Sequence, residues 1–518
     1  MMEAGAIVIG GGHNGLICAA YLARAGLSTV VLEARSTVGG CASTVDALDG
    51  ARVNICNCDH VVFRSTPILD ELDLGAHGLR YLDIDPAVIH VPLDGSPAWP
   101  LFHDVDRTLE ALRLTHPTEV DGYRRYVDAA RPVAELLLEL ANVVPTATTV
   151  ARRLLARRAR GTTTLLRWSR MSVADVLAQF FTHEAVKSPA IVTGPAVWGA
   201  SPHTPGTGLG ALSYAMKHVG RVGRPVGGSG ALPDAVRAAF ELAGGTVRTG
   251  ARVAKILCDG DRVRGVELID GSVIESPIVV SACDPRQTLV SWLTPVPTVA
   301  SAMVARWQAQ PRHDGYESKI DAVISELPFY RQVDSKVMAR VGADPMAATT
   351  IVAPTVADIH AAHQLMAEGR VASRPMMFTN VASVLDPTLL VPGADGGHVF
   401  SLEVLFTPYE LAGGWATSRE PERWLSAFGD LVQRGWVDSV RRFRAMTPDR
   451  YESEFNMPRG HATSYGGGPL AALRGKPSEL TRYTTAVKGL YLTGAATYPG
   501  AGVWGASGRN CANVILNG

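Results

Sequence analysis

One stretch decides the fold: Ala6-Ile7-Val8-Ile9-Gly10-Gly11-Gly12-His13-Asn14-Gly15. Ala6 to Ile9 is a short β-branched run, as in a parallel strand covered on both faces. It enters a GxGxxG turn with glycines at 10, 12 and 15. Leu16, Ile17, Ala19, Ala20, Leu22 and Ala23 then space as a helix ended by Gly26, and Thr29-Val30-Val31-Leu32 reads as a second strand ending at Glu33. Gly10 permits the tight turn, Gly12 lets the backbone approach a pyrophosphate, and Gly15 lets the helix pack on the strand. The helix N-terminus offers free N–H groups and a positive dipole end to phosphates. Glu33 is placed to accept from a ribose hydroxyl, and its charge would repel the 2′-phosphate of NADP. Gly10, Gly12, Asn14, Gly15 and Glu33 are therefore candidate dinucleotide contacts.

Beyond the acid the chain runs Glu33-Ala34-Arg35-Ser36-Thr37-Val38-Gly39-Gly40-Cys41. This resembles the extended fingerprint of the FAD-dependent superfamily of amine oxidases, phytoene desaturases and GDP-dissociation inhibitors. The resemblance implies FAD contacts at Ala34, Arg35, Gly40 and Cys41, with the glycine pair close to the flavin. Most relatives carry arginine after that pair, where Cys41 stands here. Near the other end, Leu490-Tyr491-Leu492-Thr493-Gly494-Ala495 leads into Pro499-Gly500-Ala501-Gly502-Val503 and then Gly505-Ala506-Ser507-Gly508-Arg509-Asn510. That segment is similar to the C-terminal flavin segment of phytoene desaturase relatives, above all the pyridine nucleotide-disulphide oxidoreductase domain-containing protein 2 type. It adds Gly494, Ala495, Gly502 and Val503 to the implied cofactor contacts. A third segment, Gly227-Gly228-Ser229-Gly230, opens a helix to Leu242, followed by strands at 247–249, 253–257, 263–268 and 278–281 with Asp-Gly turns between them. By the same resemblance the backbone of Val253 meets the adenine.

The expected fold is α/β: a Rossmann-like FAD-binding domain of glutathione reductase type, p-hydroxybenzoate hydroxylase-like in architecture, with an interleaved α+β substrate domain. The FAD-binding domain is expected from 1–75, 220–290 and 480–518, and the substrate domain from 76–219 and 291–479. Its 105–200 part reads as helical, with Val127, Ala130, Val133, Leu136, Leu137 and Leu140 recurring at threes and fours. The stretch 376–406 reads as strands.

Composition agrees with a globular chain of several units: 518 residues, 47% hydrophobic, with 52 glycines gathered partly in these motifs. Lys+Arg and Asp+Glu both number 49, so no global field draws nucleic acid. Seven widely spaced cysteines and an N-terminus without a basic segment point to a reducing, cytoplasmic setting. One local charge run stands out, Arg152 to Arg170, with seven arginines among leucines and Trp168. As a basic amphipathic helix it could touch a membrane peripherally, or be a solvated face or a protein interface. Oligomeric state is not legible.

With one GxGxxG site and no CxxC, disulphide-reductase chemistry is not expected. The reading is an FAD-dependent oxidoreductase that desaturates or oxidises a hydrophobic or conjugated small molecule, by hydride transfer to flavin N5 and re-oxidation by O2 or another acceptor. The alternatives are a flavin amine oxidase and a non-catalytic escort of GDP-dissociation-inhibitor type. His60, beside Asp59, and Cys56 are the candidate catalytic residues, His60 as a base or as a buried structural histidine. Asn54 stands where relatives carry an acid. Tyr498 and Trp504 are expected to wall the pocket. Glycine at 502, where amine oxidases hold an aromatic, is expected to leave room for a flat substrate.

Overall fold

The computed structural model describes residues 2–56, 58–390 and 397–518. The opening stretch forms the strand Ala6–Ile9 and the helix His13–Arg24, and the second strand is Thr29–Leu32. A five-stranded parallel sheet has the order Thr246–Arg248, Thr29–Leu32, Ala6–Ile9, Val279–Ser281, Leu490–Leu492. The first strand is thus central and wholly buried, which is why it is an unbroken apolar run. The helices His13–Arg24, Ala231–Leu242 and Ala506–Asn517 pack together on the sheet. The last crosses the first so closely that a Cβ on Gly508 would stand 2.2 Å from the Asn14 carbonyl oxygen.

The strands Val253–Asp259 and Arg262–Leu268 pair as the Asp-Gly turn predicts, and Val273–Glu275 and Met2–Glu3, not foreseen, complete a four-stranded sheet. Between these segments lies a seven-stranded mixed sheet, ordered Val440–Met446, Glu317–Ile324, His398–Leu405, Met377–Val381, Thr349–Ala353, Val88–Pro92, Trp99–Leu101. Sequence reading found strands only in 376–406, of which 391–396 lie outside the described residues. The strand Glu317–Ile324 escaped because Lys319 and Asp321 interrupt its apolar pattern, although both are buried.

The helix Val120–Ala141 buries Val127, Ala130, Val133, Leu136 and Leu140, as their spacing requires. The arginine-rich run is not one amphipathic helix. It forms two short helices, Ala147–Ala156 and Thr162–Trp168, broken where Arg158 and Ala159 take positive φ and Gly161 follows. Arg157 pairs at 2.6 Å with both Glu135 and Glu139, and Leu165 and Trp168 are buried, whereas Leu155 is 78% exposed. No helix among the described residues is long and apolar enough to cross a membrane.

Candidate active site

The glycine turn has the geometry its spacing implies. Gly10 has φ +98°, and a Cβ on Gly15 would lie 2.1 Å from the Gly10 carbonyl oxygen, so both positions exclude a side chain. A Cβ on Gly12, by contrast, would meet nothing within 4 Å, so a ligand can approach that backbone. Glu33 is buried; its Oε2 accepts from the Gly11 N–H and its Oε1 from the Arg35 N–H, both at 2.8 Å. Each oxygen keeps a second lone pair for a ribose hydroxyl. Gly250 and Ala251 donate to the carbonyls of Arg35 and Glu33, which brings Val253 to the acid end of the turn. The Asn14 side-chain oxygen is buried with no partner. An open cradle over Gly12, an orphan acceptor at the helix start and a ribose-competent acid fit FAD.

Two further loops close on this turn. Gly39 N–H donates to the Gly11 carbonyl at 2.8 Å, and a Cβ on Gly40 would lie 3.4 Å from Gly12 Cα. Half-buried Ala34 and Arg35 lead to this loop; the Arg35 guanidinium lies 4.1 Å over the Phe455 ring and donates to Ser43. From the other side, the imidazole N–H of His13 donates to the Gly502 carbonyl, while Asn14 Nδ2 donates to His13 Nε2 at 3.0 Å. Burial pushes the His13 pKa down to about 4, so it is a neutral clamp. Gly494 N–H donates to Ser507 Oγ, the Ala495 carbonyl accepts from Tyr465, and half-buried Val503 packs against the core of the first helix. His13→Ala is expected to weaken flavin binding by ~1.4 kcal/mol, about tenfold in Kd. Titrating the apoprotein with FAD by fluorescence quenching checks this, with an unchanged Kd as the contrary result.

Gly502 does not leave the expected room. Its added Cβ would stand 3.0 Å from Trp504 Nε1, because the Trp504 indole lies against it. Tyr498 is buried against Tyr465, with ring centroids 6.0 Å apart, rather than forming an open wall. His60 is also placed differently from a free base. It is fully buried, with Nδ1 2.7 Å from the Tyr81 hydroxyl and Nε2 3.0 Å from Ser229 Oγ. Burial pushes its pKa down to about 3, and both ring nitrogens are engaged, so the geometry gives it a structural place. Its neighbour Asp59 pairs with buried Arg224 at 2.8 Å. Asn54 braces the Gly227–Gly230 segment, its Oδ1 accepting from Ser229 N–H and Thr44 Oγ1. Cys56 is half-buried, its thiol in contact with that of Cys41.

The titratable groups that sequence reading missed lie on one face of the large sheet. Glu317, Lys319 and Asp321 alternate along one strand, opposite Leu405, Glu403 and Ser401 on the next and, from Lys319 on, Met446 and Arg444 on the third. Lys319 Nζ donates to the Asn54 carbonyl at 2.7 Å, to Ser401 and to Asp321, so this face meets the hairpin that follows the glycine pair. Arg444 also reaches Asp321, at 3.4 Å. Three carboxyls face two cations, so the row balances when one carboxyl keeps a proton. Glu317 is that carboxyl: burial first, then the charge of Glu403, raises it well above the usual range, and it hydrogen-bonds Glu403. Burial, opposed by Lys319, pushes Glu403 up to about 7. Cys41, Cys56, Tyr316 and Tyr451 surround the pair. Tyr316 also walls a cavity of about 640 Å³ with Trp198, Met366, Tyr409 and His461.

The sheet, the glycine cradle and the loops closing on it define an FAD-dependent oxidoreductase. The chain belongs to the flavin containing amine oxidoreductase family, whose model matches residues 15–311. It is 30% identical to a Mus musculus protein named pyridine nucleotide-disulfide oxidoreductase domain-containing protein 2, over 99% of this chain and 93% of that one. It is 22% identical to the phytoene desaturase (lycopene-forming) of a Paracoccus species, over 99% and 97%. Among solved structures, putrescine oxidase bound to putrescine has a TM-score of 0.63 at 16% identity, over 99% of both chains, a likeness of fold.

Proposed function

We propose that the protein desaturates a hydrophobic or conjugated small molecule, with Glu403 accepting the proton that leaves beside the transferred hydride. The observation that carries this reading is the Glu317–Glu403 pair, which faces the hairpin after Gly39-Gly40 and in which burial holds Glu403 at about 7. Bound FAD supplies the hydride acceptor. Removing hydrogen from two adjacent carbons also requires a base, and a carboxyl near 7 suits that task at physiological pH. Glu317 keeps its proton and donates to Glu403, holding the acceptor oxygen in place, while Lys319 and Asp321 neutralise each other beside it. The full-length similarity to a phytoene desaturase supports a hydrocarbon-like substrate. The cavity behind Tyr316 is the proposed approach. In this reading 1–75, 220–290 and 480–518 hold Gly10, Gly12, Asn14, Gly15, Glu33, Val253, Gly494 and Gly502 around the cofactor, and the remainder shapes the substrate site.

Amine oxidation is the second reading, because the same carboxylate could hold a substrate ammonium. Anaerobic mixing with a panel of polyenes and terpenoid hydrocarbons, and separately of primary and secondary amines, separates the two. Bleaching of the flavin band by hydrocarbons alone is the expected result. Bleaching by amines alone would transfer the protein to the amine oxidases.

A further inference from the structure

Cys41 and Cys56 take no part in the chemistry above, yet their thiols are in contact with each other. The hairpin explains their meeting. Thr44 pairs with Asn54, and Ile55 N–H donates to the Ser43 carbonyl at 3.0 Å, so the two chain ends leave the hairpin side by side. Both cysteines are half-buried and pack against one small cluster of Met446, Tyr451 and Met457, with Cys41 Sγ 3.6 Å from Met457 Sδ. Cys41 directly follows Gly40, whose backbone lies against Gly12 in the FAD cradle. In sequence, the nearest cysteine to Cys56 is Cys58, in Cys56-Asn57-Cys58. Cys58 instead donates to Asp59 and is buried, so the pairing skips it.

We propose that Cys41 and Cys56 form a disulfide whose formation and reduction exchange two electrons with the bound FAD. In the oxidising direction both S–H bonds break and one S–S bond forms. Two electrons and one proton pass to the oxidised flavin, and the second proton leaves to solvent; reduction of the disulfide reverses each change. Cys41 is the more acidic thiol of the pair, since contact with Cys56 and then the Arg35 charge, opposed by burial, lower its pKa, while that of Cys56 is raised. The other thiol pair in contact, Cys18 and Cys511, is fully buried between the first and last helices and serves as an internal control.

The test is an anaerobic dithionite titration of air-oxidised holoprotein, paired with non-reducing peptide mapping. The expected result is four electrons per flavin and a peptide linking Cys41 to Cys56, falling to two electrons and no link in Cys56→Ser. Cys41→Ala should behave alike, and the count on the wild-type protein decides the matter if either variant fails to fold. A wild-type titration ending at two electrons overturns the proposal. So does a linked peptide joining Cys18 to Cys511 in place of Cys41 to Cys56.

Discussion

Replacing Glu403 with glutamine is expected to slow substrate-driven flavin reduction by roughly a hundredfold or more, the usual contribution of a positioned general base. The variant keeps the size and hydrogen-bonding edge of the side chain, so the cavity and the Glu317 contact survive while proton affinity is lost. Glu317→Gln, whose amide can still donate to Glu403, should retain most of the rate. The pH dependence gives an independent measurement. The folded protein holds the Glu403 carboxyl near 7, against about 4.3 in an unfolded chain. The folded state therefore binds the extra proton. The associated stability is complete below about pH 4.3 and is lost as pH rises through about 7. Wild-type Tm should descend over that window, and Glu403→Gln should flatten the descent. The rate should move oppositely, rising through about 7 as the carboxyl ionises. A variant that keeps the wild-type rate and pH profile would remove Glu403 as proton acceptor.

Arg224→Leu is expected to cost roughly 3–5 kcal/mol of stability, the range for removing one partner of a buried ion pair. Arg224 is 1% and Asp59 8% exposed; Arg224 Nε donates to Asp59 at 2.9 Å and Nη2 stands 2.8 Å from the same carboxylate as an ion pair. Asp59 also accepts from Thr349 Oγ1 on the large sheet, so one carboxylate joins the segment after the 44–54 hairpin, the strand Gly223–Pro225 and the strand Thr349–Ala353. Leucine leaves that charge desolvated without its cation. Adding Asp59→Asn should recover part of the loss. Urea unfolding of the two variants measures both effects, and an Arg224→Leu midpoint equal to wild type would contradict the argument.

The cofactor end was legible because its determinants are local. Gly10, Gly12, Gly15 and Glu33 lie within two dozen residues, on one continuous strand, turn, helix and strand. The acid row was not legible, because Glu317 and Glu403 meet only through the register of strands 86 residues apart: Glu403 is a lone acid in a mostly apolar run, and Glu317 opens a strand whose pattern Lys319 and Asp321 interrupt. His60 misled for a related reason: its neighbour in sequence is Asp59, but its ring partners are Tyr81 and Ser229. His13 had a signal in plain view, a ring-bearing polar residue inside a glycine turn. Its partner, Gly502, comes from the opposite end of the chain. Gly502 itself was read by subtraction, as a missing aromatic, when Trp504 two residues on supplies one.

The edge strand Leu490–Leu492 sits beside Val279–Ser281, and the helix after it closes over Asn14. A ribosome therefore releases the first glycine turn long before the strand and helix that complete its cradle exist. Cofactor capture consequently waits for the last strand and helix, and until they are made the early segments keep apolar strand edges unpaired. Cellular flavin supply once that last helix is made should set how much of the newly made protein reaches the holo form.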